Sequence, residues 1–181
     1  MKKEISYKDS VKEAIVIALI QLMKEKEFIG ITINEIVVRA GVARSSFYRN
    51  FRSKEDVLLY HANELYDIPE EEHEPYQGNH LKNYMVSRFR AFKENRDFFM
   101  ALKQNHLLYL LYQQAADNAV KNIATFGLYR NPYQAVFFSS AAVGVTIRWI
   151  ENDFHEGEEQ LTDMFLYLMD GYHRQTEISH N

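Results

Sequence analysis

Residues 31–58 read ITINEIVVRAGVARSSFYRNFRSKEDVL. Thr32 and Glu35 stand at capping-box spacing: the Thr32 hydroxyl can accept from the Glu35 amide while the Glu35 carboxylate reaches back to the Thr32 amide, so a helix is expected to start at Thr32. Ile33, Ile36, Val37 and Ala40 then recur at helical spacing, and Gly41 interrupts them where a residue with positive φ lets the chain turn. A second helix is expected over about Ala43 to Asn50, because Ser53 and Asp56 repeat the capping arrangement and open a third helix at Lys54. Two short helices around a tight turn, the second sharply bounded, have the dimensions of a segment that enters a nucleic-acid groove.

Upstream, Val11, Ala14, Ile15, Ala18, Leu19 and Leu22 fall three and four apart, which predicts an amphipathic helix over about Tyr7 to Glu27 that braces the motif. Downstream, the helix from Lys54 carries Val57, Leu58 and Leu65 and is expected to stop near Ile68, before Pro69. Residues 67–79, DIPEEEHEPYQGN, read as an exposed connection. Leu81, Tyr84, Met85, Phe89 and Phe92 mark another helix with a break near Asn95 to Asp97 and a short helix after it. Further segments run from about Leu107 to Ile123, from Pro132 to about Phe154, and, after a turn at His155 to Glu158, from Gln160 to Tyr172. With no strand-like alternation and no repeat, the fold class is all-α with about nine helices. A three-helix unit occupies residues 1–53 and a helical bundle residues 54–181.

The apolar fraction of 46% and only three prolines in 181 residues favour a helical globular chain over a disordered one. The absence of cysteine excludes disulfide scaffolds, thiolate zinc sites and cysteine nucleophiles, and fits a reducing cytoplasm. MKKEISYKDSVKEA lacks the apolar core of a signal peptide, and no run of 18 apolar residues occurs, so a soluble, cytoplasmic protein with no membrane partner is expected. The net charge of -4 is unevenly spread: residues 1–60 hold 11 Lys and Arg against 8 Asp and Glu, and residues 61–181 hold 10 against 17. A positive head on an acidic body suits a module that meets phosphates on one side only.

Phe47, Tyr48 and Phe51, followed at once by Arg52, Ser53, Lys54, Glu55 and Asp56, resemble the signature of the TetR family of bacterial repressors. A Lac-repressor-like motif can share the Ala40-Gly41-Val42 turn but lacks this Phe-Tyr-x-x-Phe-x-x-Lys ending. The resemblance implies a helix-turn-helix that binds a double-stranded DNA operator, with Thr32, Tyr48, Asn50 and Lys54 on phosphates and Ala43, Arg44 and Ser45 facing base edges. The chemistry agrees: Arg44 can donate twice to the guanine O6 and N7 acceptors, and Tyr48 and Lys54 can reach backbone oxygens. Phe47 and Phe51 are expected in the core. Val42 and Ala43 depart from the small polar residues often found at their positions, which leaves open how many bases are read directly.

One short helix reads few base pairs, so the resemblance also implies a homodimer. Residues 133–154, YQAVFFSSAAVGVTIRWIENDF, mix small residues with large ones in the manner of close helix contact. The interface is expected to involve Phe137, Ser140, Val143, Gly144 and Ile147 with Phe165 and Met169 of the last helix. The aromatic body, Phe89, Phe92, Phe98, Phe99, Tyr109, Tyr112, Phe126, Tyr129 and Trp149, corresponds to the region where the family encloses a small-molecule effector; each ring alone reads more simply as core. Met100, His106, Tyr109 and Tyr112 are the lining candidates. No phosphate loop, nucleophile context or His-x-x-x-His pair occurs, and His73 among Glu70, Glu71, Glu72 and Glu74 reads as a solvated run, so no catalytic residue, metal or cofactor is assigned. The expected function is a homodimeric repressor released from a palindromic operator by an effector. The alternatives are a helical small-molecule-binding protein that has lost DNA binding and a helical enzyme.

Overall fold

The computed structural model describes residues 7–66, 79–112, 114–115 and 132–178. The described residues are helical, without strands. In chain order they form α1 (Tyr7–Glu25), a 3-10 turn (Phe28–Gly30), α2 (Ile33–Ala40), α3 (Arg44–Asn50), α4 (Lys54–Tyr66), α5 (Asn79–Glu94), α6 (Arg96–Gln104), α7 (Pro132–Glu151) and α8 (Glu158–Ile178). A further helix begins at residue 110. The acidic connection with His73 and the segment with Phe126 and Tyr129 lie outside the described residues.

The head forms as its local sequence dictates. Thr32 caps α2 in extended conformation, and both halves of the capping box are present. The Glu35 amide reaches the Thr32 hydroxyl at 3.3 Å, and the Thr32 amide reaches Glu35 Oε2 at 2.9 Å. Gly41 adopts φ 64°, and the two amides that close the helix end, from Gly41 and Val42, bond the Val38 and Val37 carbonyls at 3.2 and 3.0 Å. At the start of α4 the Asp56 amide donates to Ser53 Oγ at 3.1 Å, but the Asp56 carboxylate accepts from the Arg52 amide, one residue earlier than a strict capping box requires. α1 packs against α2, α3, α4 and α6. Ile15, Leu19, Ile36, Phe47 and Leu58 are fully buried between these helices.

The body continues the same core. Only Asn95 separates α5 from α6. Phe89, Phe92, Phe98, Phe99 and Trp149 are all buried. Their rings meet edge to face, Phe89 with Trp149 at 5.5 Å and Phe92 and Phe98 each with Phe99 at 5.2 Å. The simple core reading therefore holds for these five. Trp149 Nε1 donates to the Glu156 carbonyl at 3.0 Å, which fixes the turn between α7 and α8. α8 lies along α5, and α6 touches α7. Among the described residues no helix is long and apolar enough to cross a membrane.

A Cβ added at Gly41 meets no atom within 4 Å, so a side chain there is opposed by backbone conformation alone. Replacement Gly41→Ala should lower stability by about 1–2 kcal/mol, and Gly41→Asn by less, because asparagine tolerates left-handed backbone. Urea unfolding of the two variants measures the difference.

Candidate nucleic-acid interface

α3 turns two faces in opposite directions. Phe47 is fully buried, and Phe51, which follows the helix, is 5% exposed; their ring centroids lie 5.9 Å apart. On the other face Ala43, Arg44, Ser45, Tyr48 and Arg49 are exposed. Arg44 and Tyr48, one helical turn apart, lie together: Arg44 Nη2 stands 3.4 Å from the Tyr48 hydroxyl, and its guanidinium lies 5.7 Å from the ring centroid. Arg49 donates to Ser46 Oγ at 2.9 Å, and Arg52 is exposed beyond the helix end. The surface thus joins two fork-shaped donors, a third arginine and a phenol. That set can read a guanine edge and hold phosphate oxygens.

Three of the residues expected on phosphates have other partners. Thr32 is exposed and donates its hydroxyl hydrogen to Glu35 Oε2 at 2.7 Å, within the cap. Asn50 is half-buried: its amide nitrogen donates to the Ser46 carbonyl at 2.7 Å, and its Oδ1 is buried with no hydrogen-bond partner. Lys54 differs most from expectation. Its ammonium donates to the carbonyls of Phe28, Ile29 and Ile31 at 2.5, 3.2 and 2.9 Å and lies 4.4 Å above the Phe28 ring. All three of its hydrogens point at the protein.

The head carries further ties that local pattern did not indicate. Arg39 donates both guanidinium arms to Glu25, at 2.5 and 2.8 Å, joining α2 to the end of α1. Lys26 donates to Glu35 Oε1 at 2.6 Å and to the Gly30 carbonyl at 2.9 Å. Water reaches all of these groups, so each pair contributes little to stability.

In the body, Met100 packs half-buried against the core, while His106, Tyr109 and Tyr112 are exposed. His106 has φ 58° because it closes α6: the Leu107 amide bonds the Leu102 carbonyl at 2.9 Å and the His106 amide the Lys103 carbonyl at 3.1 Å. None of the four lines the groove of about 490 Å³ that runs between α1, α4 and the α5–α6 joint, where Glu13, Ile17, His61, Glu64, Glu94 and Phe98 meet. His61 sits edge-on to Phe98 at 4.6 Å, and burial lowers its pKa, favouring the neutral ring. Among the described residues no three His, Asp or Glu side chains are placed to hold a metal ion.

The residues expected at a dimer interface divide. Phe137 is exposed, and Ser140, Gly144, Ile147 and Met169 are half-buried. Val143 and Phe165, by contrast, are buried within the chain's own body, at 3% and 5% exposure. Gly144 makes room for Tyr112 of the same chain, whose hydroxyl would stand 3.4 Å from an added Cβ. Among the described residues, the large apolar side chains exposed on α7 and α8 are Tyr133, Val136, Phe137, Met164, Tyr167 and Leu168.

A family model described as "Bacterial regulatory proteins, tetR family" matches residues 15–60, and one described as "Transcriptional regulator C-terminal region" matches residues 79–171. The uncharacterized HTH-type transcriptional regulator YerO of Bacillus subtilis (strain 168) is 30% identical over 105 residues, which are 54% of this chain and 36% of that protein. The match thus spans little more than a third of that relative's length. Among solved structures, the dihydroxyacetone kinase operon activator DhaS superposes with a TM-score of 0.60 over 90% of this chain and 95% of its own, at 16% identity. At that identity the likeness concerns the fold.

The capping box also fixes a pH response. The Lys26 ammonium first, and then the Thr32 amide and hydroxyl, hold the Glu35 carboxyl down to about 2 from its ordinary 4.5. A carboxyl lowered on folding stabilises above its unfolded pKa and loses that contribution as pH falls through the folded one, so the support for α2 should fade between pH 4.5 and about 2. Carbon-detected NMR titration of the Glu35 carboxyl should find its midpoint near 2, and Lys26→Met should raise it.

Proposed function

The chain belongs to the TetR family of bacterial transcriptional regulators and carries that family's DNA-binding helix-turn-helix, and from this premise we propose that it is a homodimeric repressor released from a palindromic operator by a small-molecule effector. Residues 1–53 read the operator and residues 54–181 pair and respond. The observation that carries the reading is the exposed face of α3, where Ala43, Arg44, Ser45 and Tyr48 stand clear of the core; in the complex Arg44 and Ser45 would face base edges beside Ala43, and Tyr48, with Thr32 flanking, would meet the phosphate backbone. Arg49 and Arg52 are exposed nearby and would add general attraction.

Pairing is supported by the surface of α7 and α8. Phe137 is 55% and Tyr167 79% exposed, and Met164 and Leu168 lie beside Tyr167 on α8. Such a stripe, left in water, is what a second copy would cover. A two-fold pair sets two α3 helices at a fixed separation, which requires half-sites spaced by whole turns of about 10 base pairs. The effector would bind one separation better than the other. The groove beneath α1, α4 and the α5–α6 joint touches helices of both head and body, and so is placed where a bound molecule would bias the angle between them. The chain would act on DNA in the cytoplasm and catalyse nothing.

Duplexes selected from a random pool should converge on a palindrome. On that duplex Arg44→Ala should cost about 1–3 kcal/mol, concentrated at one base pair of each half-site, with little loss on random DNA. Equal loss on both duplexes would remove Arg44 from base reading.

Wild-type protein should weigh as a dimer by light scattering at micromolar concentration, and Leu168→Glu as a monomer with weaker operator binding. A monomeric wild type would end the two-fold scheme.

A further inference from the structure

The 3-10 turn between α1 and α2 is held from outside. Its own bonds are few: the Gly30 amide donates to the Glu27 carbonyl at 3.0 Å and the Ile31 amide to the Phe28 carbonyl at 3.1 Å. From the body, Asn105, at the end of α6, accepts the Phe28 amide on Oδ1 at 2.6 Å. Its Nδ2 donates to the Met23 carbonyl at 3.2 Å and to the Ala101 carbonyl at 2.9 Å. Met23 lies in the last turn of α1, where carbonyls lose their intrahelical partners. From α4, Lys54 takes the Phe28, Ile29 and Ile31 carbonyls. Phe28 is therefore gripped at both polar backbone atoms by side chains 77 and 26 residues away in sequence.

Ile31, the last residue Lys54 holds, directly precedes Thr32, the cap from which α2 starts. A displaced turn would move the origin of α2 and, through Gly41, the aim of α3. A lysine whose three hydrogens already rest on carbonyls has none left for a phosphate. The Lys24 and Asp97 pair also joins α1 to α6, but Asp97 is 80% exposed, and such a pair contributes little. Asn105 is half-buried, and its bonds are made to backbone, which fixes position more narrowly than two mobile side chains can.

We infer that Asn105 and Lys54 are positioning residues for DNA binding: they clasp the Phe28–Ile31 turn from the body and from α4, and set where the reading helices start, without touching DNA. The inference rests on the DNA-binding role only for its effect on affinity; the clasp itself is a property of the free protein.

The full chain is used throughout, with amide hydrogen exchange resolved by residue, and with binding to the selected duplex measured over a range of salt, well below the melting midpoint of every variant. In Asn105→Ala the Phe28 amide should exchange about tenfold faster, the change expected for loss of one hydrogen bond, while amides of α7 keep their protection. Operator affinity should fall several-fold with the salt slope unchanged. Asn105→Asp keeps an acceptor for the Phe28 amide but turns an oxygen on the Met23 and Ala101 carbonyls, and should restore the amide's protection only in part. Lys54→Met should lose affinity at an unchanged slope. Lys54→Arg, the milder change, keeps the charge but not the compact three-way grip, and should lose affinity likewise.

A salt slope flattened by about one in Lys54→Met, with Arg restoring full binding, would make Lys54 a phosphate contact and overturn its part. Unchanged Phe28 exchange and unchanged affinity in Asn105→Ala would overturn the other. Should the wild type bind no duplex, the proposed function fails, while the exchange measurements still decide whether the clasp exists.

Discussion

A helix of seven residues does not persist in water on its own propensity, because nucleating the first turn costs more than so few hydrogen bonds return. α3 is that short, and its shape must come from what it leans on. Phe47 and Phe51 supply this: both are buried, and Phe51 meets Tyr60 of α4 at 5.6 Å, so the helix is held from behind by aromatic packing. Burying each phenylalanine contributes about 1.5–3 kcal/mol, more than any exposed polar contact of α3 can supply. The front face is thereby released from structural duty. Ala43, Arg44, Ser45, Tyr48 and Arg49 are exposed and can vary while the scaffold stays.

The same constraint explains how the head spends its charge. The first 60 residues carry eleven Lys and Arg, which by count suggests broad attraction for phosphate. Partners change that count. Lys24 faces Asp97, Lys26 faces Glu35, Arg39 grips Glu25, and Lys54 is taken up by three carbonyls. Those cations fix α1, α2 and α4 relative to one another. Arg44, Arg49 and Arg52 remain exposed on α3 and just beyond it, and carry positive charge there.

Features that depend on residues three or four apart were legible in the sequence. The Thr32 and Glu35 box and the left-handed Gly41 follow from residue type and spacing, and the inward Phe47 from the usual burial of phenylalanine. Lys54 and Asn105 did not, since their partners lie 23 to 82 residues away and no local pattern encodes them. The break after α6 was visible but admitted two readings. A break beside a polar residue suggested a pocket wall at His106, whereas the chain uses it to close a helix. On α8, apolar residues stand at 161 and at every position from 164 to 169, enough for two stripes. Leu161 and Phe165 face the chain's own body and Met164, Tyr167 and Leu168 face out, a choice made by packing against α5 that composition cannot express.

Packing is also uneven between head and body, and the unevenness bears on how a signal can travel. α1 touches α2, α3, α4 and α6, so the reading helices move only with it. Close-packed interiors transmit displacement and resist shear, whereas a void offers no atoms to resist. An open groove of about 490 Å³ lies between α1, α4 and the α5–α6 joint. Beyond it, at the far end of α6, Asn105 binds the body to the Phe28 turn. The joint between head and body is thus tied near the start of α6 by the Lys24 and Asp97 pair and the edge-on His61 and Phe98 rings, and clasped at its far end by Asn105. Under the proposed function, a molecule in the groove would bear on the first of these ties, and Asn105 would pass a tilt of α6 to the turn from which α2 begins.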